Sequence, residues 1–573
     1  MNFNILRRVS RLAAIGAILL GSASCVYINE ELGENLIPTD QKWDVFTPEA
    51  VVLDDIQMKM TDSLSAYNTD RFTFGAINDP VLGTSIKSTS FTLVPLLDSL
   101  DFGTNTRVRQ FYFTAVRDTL STYHSSQERI LQNVYVSELK APLDTFSLYT
   151  GTFMNPANVE KYLNTSNIIT TGIPVYDGGD SLSFSFSKEF TESMIERLKT
   201  ARLDSMDLYT KDIPGIYITT DAPAVQGGRI NMFDLPLELS DSYVTGNFAE
   251  LKFTADYGDR KDVDSSFIFL FGPGTFMDQT SSEVPTQFAF NASNHQTAEN
   301  KFVENWEMGT KENLYVEGGS GMKPVITARE IKSILNDLIA QAGITNPKEV
   351  VINKATIILP YVMPADYQDM DKYPTVLSPT VRLRSEDGGY ITYAGLTDSS
   401  VESENQGDIN RSTCMYSPDV SHHVQEILKL DESSEDYEKT VDNYDIWMLI
   451  MHDEIVGESS SSSSNSDYLN SLLYSSYYNN MMYGGYGGYG GYGYGGYGYG
   501  YGGYGYDSYG YGYSNYYNYM MLASMSNSYS TSETTERGLD NDRFYNAVLC
   551  GPGSAGEKPR IKITFSAPMS AEK

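Results

Sequence analysis

Cys25 stands directly behind Gly21-Ser22-Ala23-Ser24, a run of small residues. A short apolar stretch, Leu12–Leu20, and a basic start with Arg7, Arg8 and Arg11 precede it. That order reads as a secretory leader with its cleavage region. A cysteine at the first position after the cut is the residue that would carry lipid, so residues 1–24 are expected to be a lipoprotein signal peptide and Cys25 the lipidated residue. The apolar run is about half of the roughly 20 residues a membrane-spanning helix needs. Acyl chains add about 0.8 kcal/mol per buried CH₂, and two or more make a stable anchor. Ser22 departs from the aliphatic residue usual three positions before such a cysteine, whereas Ala23 and Ser24 conform. A secreted protein with a chance cysteine is the competing reading.

Other side chains capable of chemistry are scattered. The chain has 5 histidines, and among them only His422 and His423 are adjacent. His124 and His295 sit in polar loops, and His452 ends a strand beside Asp453 and Glu454. No histidine stands in a nucleophile motif, no Cys/His spacing suits zinc, and no phosphate loop is present. Gly272-Pro273-Gly274 reads as a turn. Paired carboxylates of the kind that hydrolyse glycosides exist at Asp54-Asp55, Glu402 with Glu404, and Asp540 with Asp542. In so acidic a chain they are expected from composition. Asp540-Asn541-Asp542 offers oxygen ligands for calcium but lacks the glycine and distal glutamate of a complete loop, and reads as a solvated turn. No catalytic residue, cofactor or metal is therefore expected, and the chain is read as not an enzyme.

Two covalent modifications remain. Ser63, Ser99, Thr119, Ser181 and Ser205 each follow an aspartate and precede an aliphatic residue, a pattern of O-glycosylation in Bacteroidetes. Once Cys25 is lipidated, Cys414 and Cys550 are left. An oxidising compartment would let them pair, and two buried thiols are the other reading, because the sequence does not give their distance.

Asp and Glu number 74 against 41 Lys and Arg, for a net charge of −33. Phosphate backbones are repelled by such a surface, so nucleic acid is not expected as a partner. Glu30 and Glu31 follow the cysteine closely. They resemble a surface-export signal of Bacteroidetes lipoproteins and equally suit a solvated tether, expected over 25–45. The protein is thus expected at the outer membrane, facing the cell surface rather than the periplasm.

Strand signals dominate the rest: Arg109–Val116, Gln132–Val136, Gly215–Thr220 and Phe267–Phe271 are rich in β-branched and aromatic residues. Helical periodicity is confined to Phe190–Leu198, Ala328–Ala342 and Val420–Leu428. Many strands with few short helices predict a mainly β protein of β-sandwich or jelly-roll type. The order of elements repeats. Phe74–Gly83 corresponds to Leu314–Gly321, Arg109–Val116 to Val350–Pro360, and Leu182–Phe186 with its helix to Cys414–Pro418 with its helix. Ile216–Thr220 corresponds to Ile446–Ile450, and Leu251–Ala255 to Ile561–Ser566. Two tandem units are expected, 46–257 and 258–573, divided at Tyr257–Lys261; one large irregular β protein is the alternative. A low-complexity Ser/Tyr/Gly insertion is expected over 457–536. Its core, Tyr483–Tyr513, has almost no aliphatic side chain, and ordering it would cost more than it returns, so disorder is expected there. A flexible spacer or a sticky tyrosine segment are its readings.

These segments also resemble a family. Gly75–Gly83 with its Asn-Asp-Pro, Tyr315–Gly321, Ile352-Asn353-Lys354-Ala355 and the terminal Pro559–Thr564 resemble the DUF4270 lipoproteins of Bacteroidetes. The resemblance covers nearly all of the mature chain and implies a lipoprotein in an outer-membrane setting. It supplies no functional residues, and the Tyr/Gly insertion departs from its pattern. The expected function is a lipid-anchored, non-enzymatic binding or structural module, held to the membrane through Cys25 and contacting an outer-membrane protein or a surface glycan. The alternatives are an accessory subunit of an outer-membrane assembly or export complex, and a carbohydrate-active enzyme with an unrecognised carboxylate pair.

Overall fold

The computed structural model describes residues 43–61, 71–95, 100–123, 125–141, 163–203, 206–234, 237–239, 244–271, 289–291, 295–296, 306–319, 321–384, 390–400, 405–456, 534–540 and 543–568. Antiparallel strands dominate them, with a few short helices. Strand Thr104–Thr122 shows why. Phe111, Phe113 and Ala115 are buried while Tyr112, Thr114 and Val116 face outward, the period of two that a sheet with one covered face requires.

In the first body a nine-stranded sheet built around this strand packs on a five-stranded sheet. Aromatic rings fill the space between them. Phe91 and Phe271 lie 4.6 Å apart, Phe113 and Phe271 4.7 Å, and Phe72 and Phe233 4.7 Å. Offset stacking of this kind adds to the area the rings bury. The second body packs two six-stranded sheets with helices Ala328–Gln341 and Ser421–Lys429. The longer helix starts at Thr327, whose hydroxyl accepts the Glu330 N–H at 3.3 Å. It buries Ile331, Leu335, Leu338 and Ile339 on one face.

Strand neighbours recur in the two bodies. Thr104–Thr122 lies between Ser181–Ser185 and Phe248–Tyr257; Val351–Pro360 lies between Met415–Tyr416 and Arg560–Pro568. In each body the strand preceding a helix is the first of these neighbours. The remaining sheet of the first body runs Leu163–Ile168, Tyr135–Leu139, Ile216–Thr219, Thr89–Phe91, Ala289–Asn291. In the second it runs Tyr390–Gly395, Val376–Arg384, Ile446–Val456, Met322–Ile326, Ile56–Met60.

The last strand of each series comes from the other repeat. Ile56–Met60 precedes the first body yet pairs with Met322–Ile326 of the second. Trp43–Phe46 and Val51–Val52 likewise line Arg560–Pro568. Conversely, Arg260–Leu270 and Ala289–Asn291 precede the second body and complete the first. The chain therefore reads as lead-in 43–61, body 71–257, lead-in 260–296, body 313–568, with each lead-in seated on the other repeat's body. The first lead-in contributes wholly buried Leu53 and Ile56, and Met58 at 1 % exposure, to the second core. Each such side chain stabilises by about 1.5–3 kcal/mol.

This pairing revises the expected division. Tyr257–Lys261 is a hairpin turn, with Tyr257 opposite Arg260 around Gly258 and Asp259, and residues 46–61 belong with the second body. A Gly-Asp pair reads alike as a hairpin turn or a linker, which is why the sequence misplaced it. The expected insertion also ends earlier: Thr534–Glu536 pair with Glu454–Val456, leaving 457–533 outside the described residues.

Candidate functional site

A set of buried charged groups lies where the two bodies meet. The hairpin Arg71–Asp79 and Gly83–Lys87 of the first body meets Glu317, Arg543 and Asn546 of the second. Ser85 Oγ donates to Glu317 Oε1 at 3.1 Å, and Met322 N donates to Glu317 Oε2 at 3.0 Å. Lys87 Nζ donates to the Arg543 carbonyl at 2.9 Å, and Asn546 Nδ2 to Asp79 Oδ2 at 3.2 Å. Lys323 Nζ donates to the carbonyls of Glu317, Gly319 and Gly321. Ile77, Ile230 and Phe544 close an apolar cluster beside them. Lys87, Lys323 and Glu317 are all buried. Burial pushes the Glu317 carboxyl up and the Lys323 ammonium down; their mutual attraction opposes both shifts, and the Met322 N–H opposes that of Glu317.

A second cluster adjoins it. The Asp540 side chain is 1 % exposed. Its Oδ2 accepts Tyr545 OH at 2.6 Å and lies 4.0 Å from His452 Nδ1 and from Arg543 Nε. Arg543 N donates to Oδ1 at 3.3 Å. Burial raises the carboxyl, but the nearby His452 and Arg543 and the donated hydrogen bonds outweigh it and hold it below the usual carboxylate range. Asp540 is thus not the solvated turn residue expected: it ties strand Thr534–Leu539 to the 543–546 segment that touches the first body. Asp542 lies outside the described residues, and among those described no group of three His, Cys, Asp or Glu could hold a metal ion.

The other expected residues are dispersed. Asp54 and Asp55 donate their backbone N–H groups to Glu330 Oε1, fastening the first lead-in to the long helix. His422 and His423 donate backbone N–H groups to Asp398 at 2.6 and 3.1 Å, and the buried His423 ring meets the Tyr444 carbonyl at 2.8 Å. His295 lies in a strand opposite Ile86. Cys414 and Cys550 are free thiols. Tyr361 stands between them, its N–H donating to the Cys414 carbonyl at 2.9 Å while it pairs with Leu549. Two strand spacings put the cysteines roughly 10 Å apart, beyond the roughly 7 Å limit for a disulfide, so of the two readings left open the structure gives unpaired thiols. Ser181 is exposed at the start of its strand, opposite Val116, and Thr119 lies within Thr104–Thr122. Cys25, Ser63, Ser99, Ser205, His124, Glu402, Glu404 and Gly272–Gly274 lie outside the described residues.

The sequence reading missed Glu317, Lys323, Lys87 and the wholly buried Arg229. Arg229 donates to Asn231 Oδ1 at 2.6 Å, the Glu128 carbonyl at 2.8 Å and the Tyr176 carbonyl at 3.4 Å. Burial lowers its guanidinium to about 10.

An outward face of the first body differs in character. On the ribbon of Gln132–Asn133 and Val175–Tyr176, Gln132 and Tyr176 turn inward. Leu131, Ile173 and Val175 are 68, 50 and 55 % exposed. Among them Tyr135 OH and Asn133 Nδ2 donate to Asp221 Oδ2 at 2.6 and 3.0 Å. The corresponding connection of the second body exposes Val362, Met363 and Tyr367. Compared with known proteins, the chain matches no family, no curated protein and no solved structure.

Proposed function

We propose that the chain is a lipid-anchored outer-membrane protein of DUF4270 type, facing the cell surface and working as a non-enzymatic binding or structural module. The outward ribbon of Leu131, Ile173 and Val175 carries this reading, because contiguous exposed apolar side chains beside a bonded Tyr-Asp-Asn set suit contact with another molecule. The junction groups supports it from the other side: their hydrogen bonds hold the two bodies together. The anchor on Cys25 would reach the fold through the first lead-in, which is stapled into the second body.

The test is co-purification from membranes under mild detergent, comparing the unaltered chain with C25S and with L131D/V175D. The expected result is loss of C25S from the membrane fraction, and loss of a stoichiometric partner or of glycan-array binding in L131D/V175D. A C25S chain that stays with the membrane, or a double variant that keeps every partner and glycan, would overturn the corresponding half of the proposal.

A further inference from the structure

We propose, on the reading of the outward ribbon as a binding face, that its ligand is a glycan bearing an isolated acidic sugar, whose carboxylate seats on Arg129 and Arg117. The turn Asp177-Gly178-Gly179-Asp180 follows Val175–Tyr176 and closes one end of the ribbon. Three guanidinium groups converge on it. Arg117 Nη1 and Arg129 Nη1 each donate to the Gly178 carbonyl at 2.9 Å. The buried Arg229 lies beneath, its Nη1 2.7 Å from where a Cβ on Gly178 would stand. Gly178 has φ of 78°, so glycine lets the turn close over that arginine. The turn is thus held from below while two arginines flank its outer side.

Like charges gathered on one neutral oxygen repel each other, and an anion placed against them relieves that repulsion. The carboxylates at hand do so only in part. Asp180 Oδ1 lies 3.6 Å from Arg117 Nη2, on a side chain 97 % exposed, where an ion pair is worth little. Asp177 Oδ1 accepts Gly179 N at 2.9 Å. Among the described residues Arg129 has no carboxylate within ion-pair distance; it is exposed and keeps most of its N–H donors for a ligand. A guanidinium fork matches a carboxylate through paired hydrogen bonds. At the other end of the ribbon, Asp221 accepts Tyr135 and Asn133 on Oδ2, which leaves Oδ1 to accept a hydroxyl. Leu131, Ile173 and Val175 lie between the two ends and suit the C–H face of a sugar ring. Residues 129 and 133 are at most roughly 14 Å apart along the chain, a span longer than one sugar ring. A lipid surface fits less well, because Asp177, Asp180 and Asp221 would face its phosphates. A polyanionic ligand is disfavoured by the net charge of −33, whereas a single carboxylate meets chiefly the charges within a Debye length of about 8 Å.

The test presents the full chain with an array of oligosaccharides that each carry one uronic or sialic acid, printed beside carboxyl-reduced counterparts. Acidic members are expected to be retained roughly tenfold more strongly than their reduced partners, the worth of one charge-assisted hydrogen-bonded contact. R129E is expected to remove that preference without moving the urea midpoint, since Arg129 is exposed. R129K, which keeps the charge but not the fork, should restore part of it. Equal retention of acidic and reduced members, or a preference that survives R129E, would overturn the proposal and leave the ribbon a binding face for neutral sugars. Retention of no sugar would also overturn it. If L131D/V175D then still loses a protein partner, the ribbon remains a binding face for protein; if it loses nothing, the reading of the ribbon fails as well. Binding to vesicles containing phosphate-bearing lipid, with none to the array, would assign the arginines to a membrane surface and overturn the proposal in that way.

Discussion

Val456 and Thr534 are direct partners across an antiparallel pair, so the long segment between them leaves and re-enters the fold at one place. The stem continues inward through Met451 opposite Leu539, and Asp540 follows immediately. Replacing 457–533 by Asn-Gly, which suits a two-residue hairpin loop, is therefore expected to leave both bodies folded. Loop closure becomes easier by about 0.6 kcal/mol for each halving of length, or about 3 kcal/mol over roughly five halvings. Urea unfolding of the shortened and full-length chains measures the difference. A less stable shortened chain would mean that the segment makes contacts of its own.

The first lead-in depends on Glu330. Its carboxylate accepts from Asp54 and Asp55, while the Thr327 hydroxyl donates to Asp55 Oδ2 at 3.2 Å. E330A is expected to destabilise the chain by on the order of 2 kcal/mol, since two backbone donors lose their partner. Amide exchange should rise first in residues 53–60. E330Q, which keeps an acceptor oxygen, should recover most of the protection. Uniform exchange across the first body instead would place the role of Glu330 elsewhere.

Acid sensitivity has two opposing sources. Burial lowers the His423 imidazole from 6.5 to about 4, so the native ring stays neutral against the Tyr444 carbonyl. Between those values the unfolded chain binds the proton and the native chain does not. Stability from this group is therefore complete above about pH 6.5 and is lost as pH falls toward 4, by roughly 1.4 kcal/mol per pH unit. Asp445 acts in reverse. Burial raises its carboxyl from 3.8 to about 6, so the native chain takes up this proton first, and stability from this group rises as pH falls from 6 toward 4. Denaturation midpoints measured at several pH values should fall less steeply with acid in H423Q than in the unaltered chain, and more steeply in D445N. Parallel curves for all three would remove both assignments.

Much of the β character was legible because it depends on local pattern. Phe111, Phe113 and Ala115 alternate inward as their spacing requires, and the three amphipathic helices fall within a residue or two of the periodic segments. Topology was harder. Nothing in Ile56–Met60 says that its partner is Met322–Ile326 rather than a nearer strand, since an edge position is set by the whole sheet. The buried charges were concealed for another reason. Arg229 and Asn231 lie in a strand whose residues 227–233 are buried on both faces, so no alternation of polar and apolar positions singled them out. Their partners are carbonyls and side chains far away in sequence, such as Glu128 and Gln132, which no local pattern shows. The separation of Cys414 and Cys550 also depends on one intervening residue, Tyr361, from a third segment.

Gly75 and Gly318 occupy matching crossings in the two bodies. A Cβ on Gly75 would meet the Arg229 carbonyl oxygen at 2.2 Å, and one on Gly318 would meet the Arg543 carbonyl oxygen at 2.2 Å. Both obstacles are backbone atoms in paired segments, with Gly75 opposite Ile230 and Gly318 N donating to the Tyr545 carbonyl at 3.1 Å. Gly75 also has φ of 145°, which side-chain-bearing residues rarely adopt. G75A and G318A are each expected to cost about 3 kcal/mol or more, through strain and displaced strand pairing. The two should differ in where the damage appears. G318A shifts Arg543, whose carbonyl receives Lys87, and so loosens the contact between the bodies. G75A shifts Arg229 and disturbs the first body. Limited proteolysis should therefore release intact first body from G318A before it is cut, whereas G75A should be cut within 71–257. Identical cleavage patterns for the two variants would count against the correspondence of the two crossings.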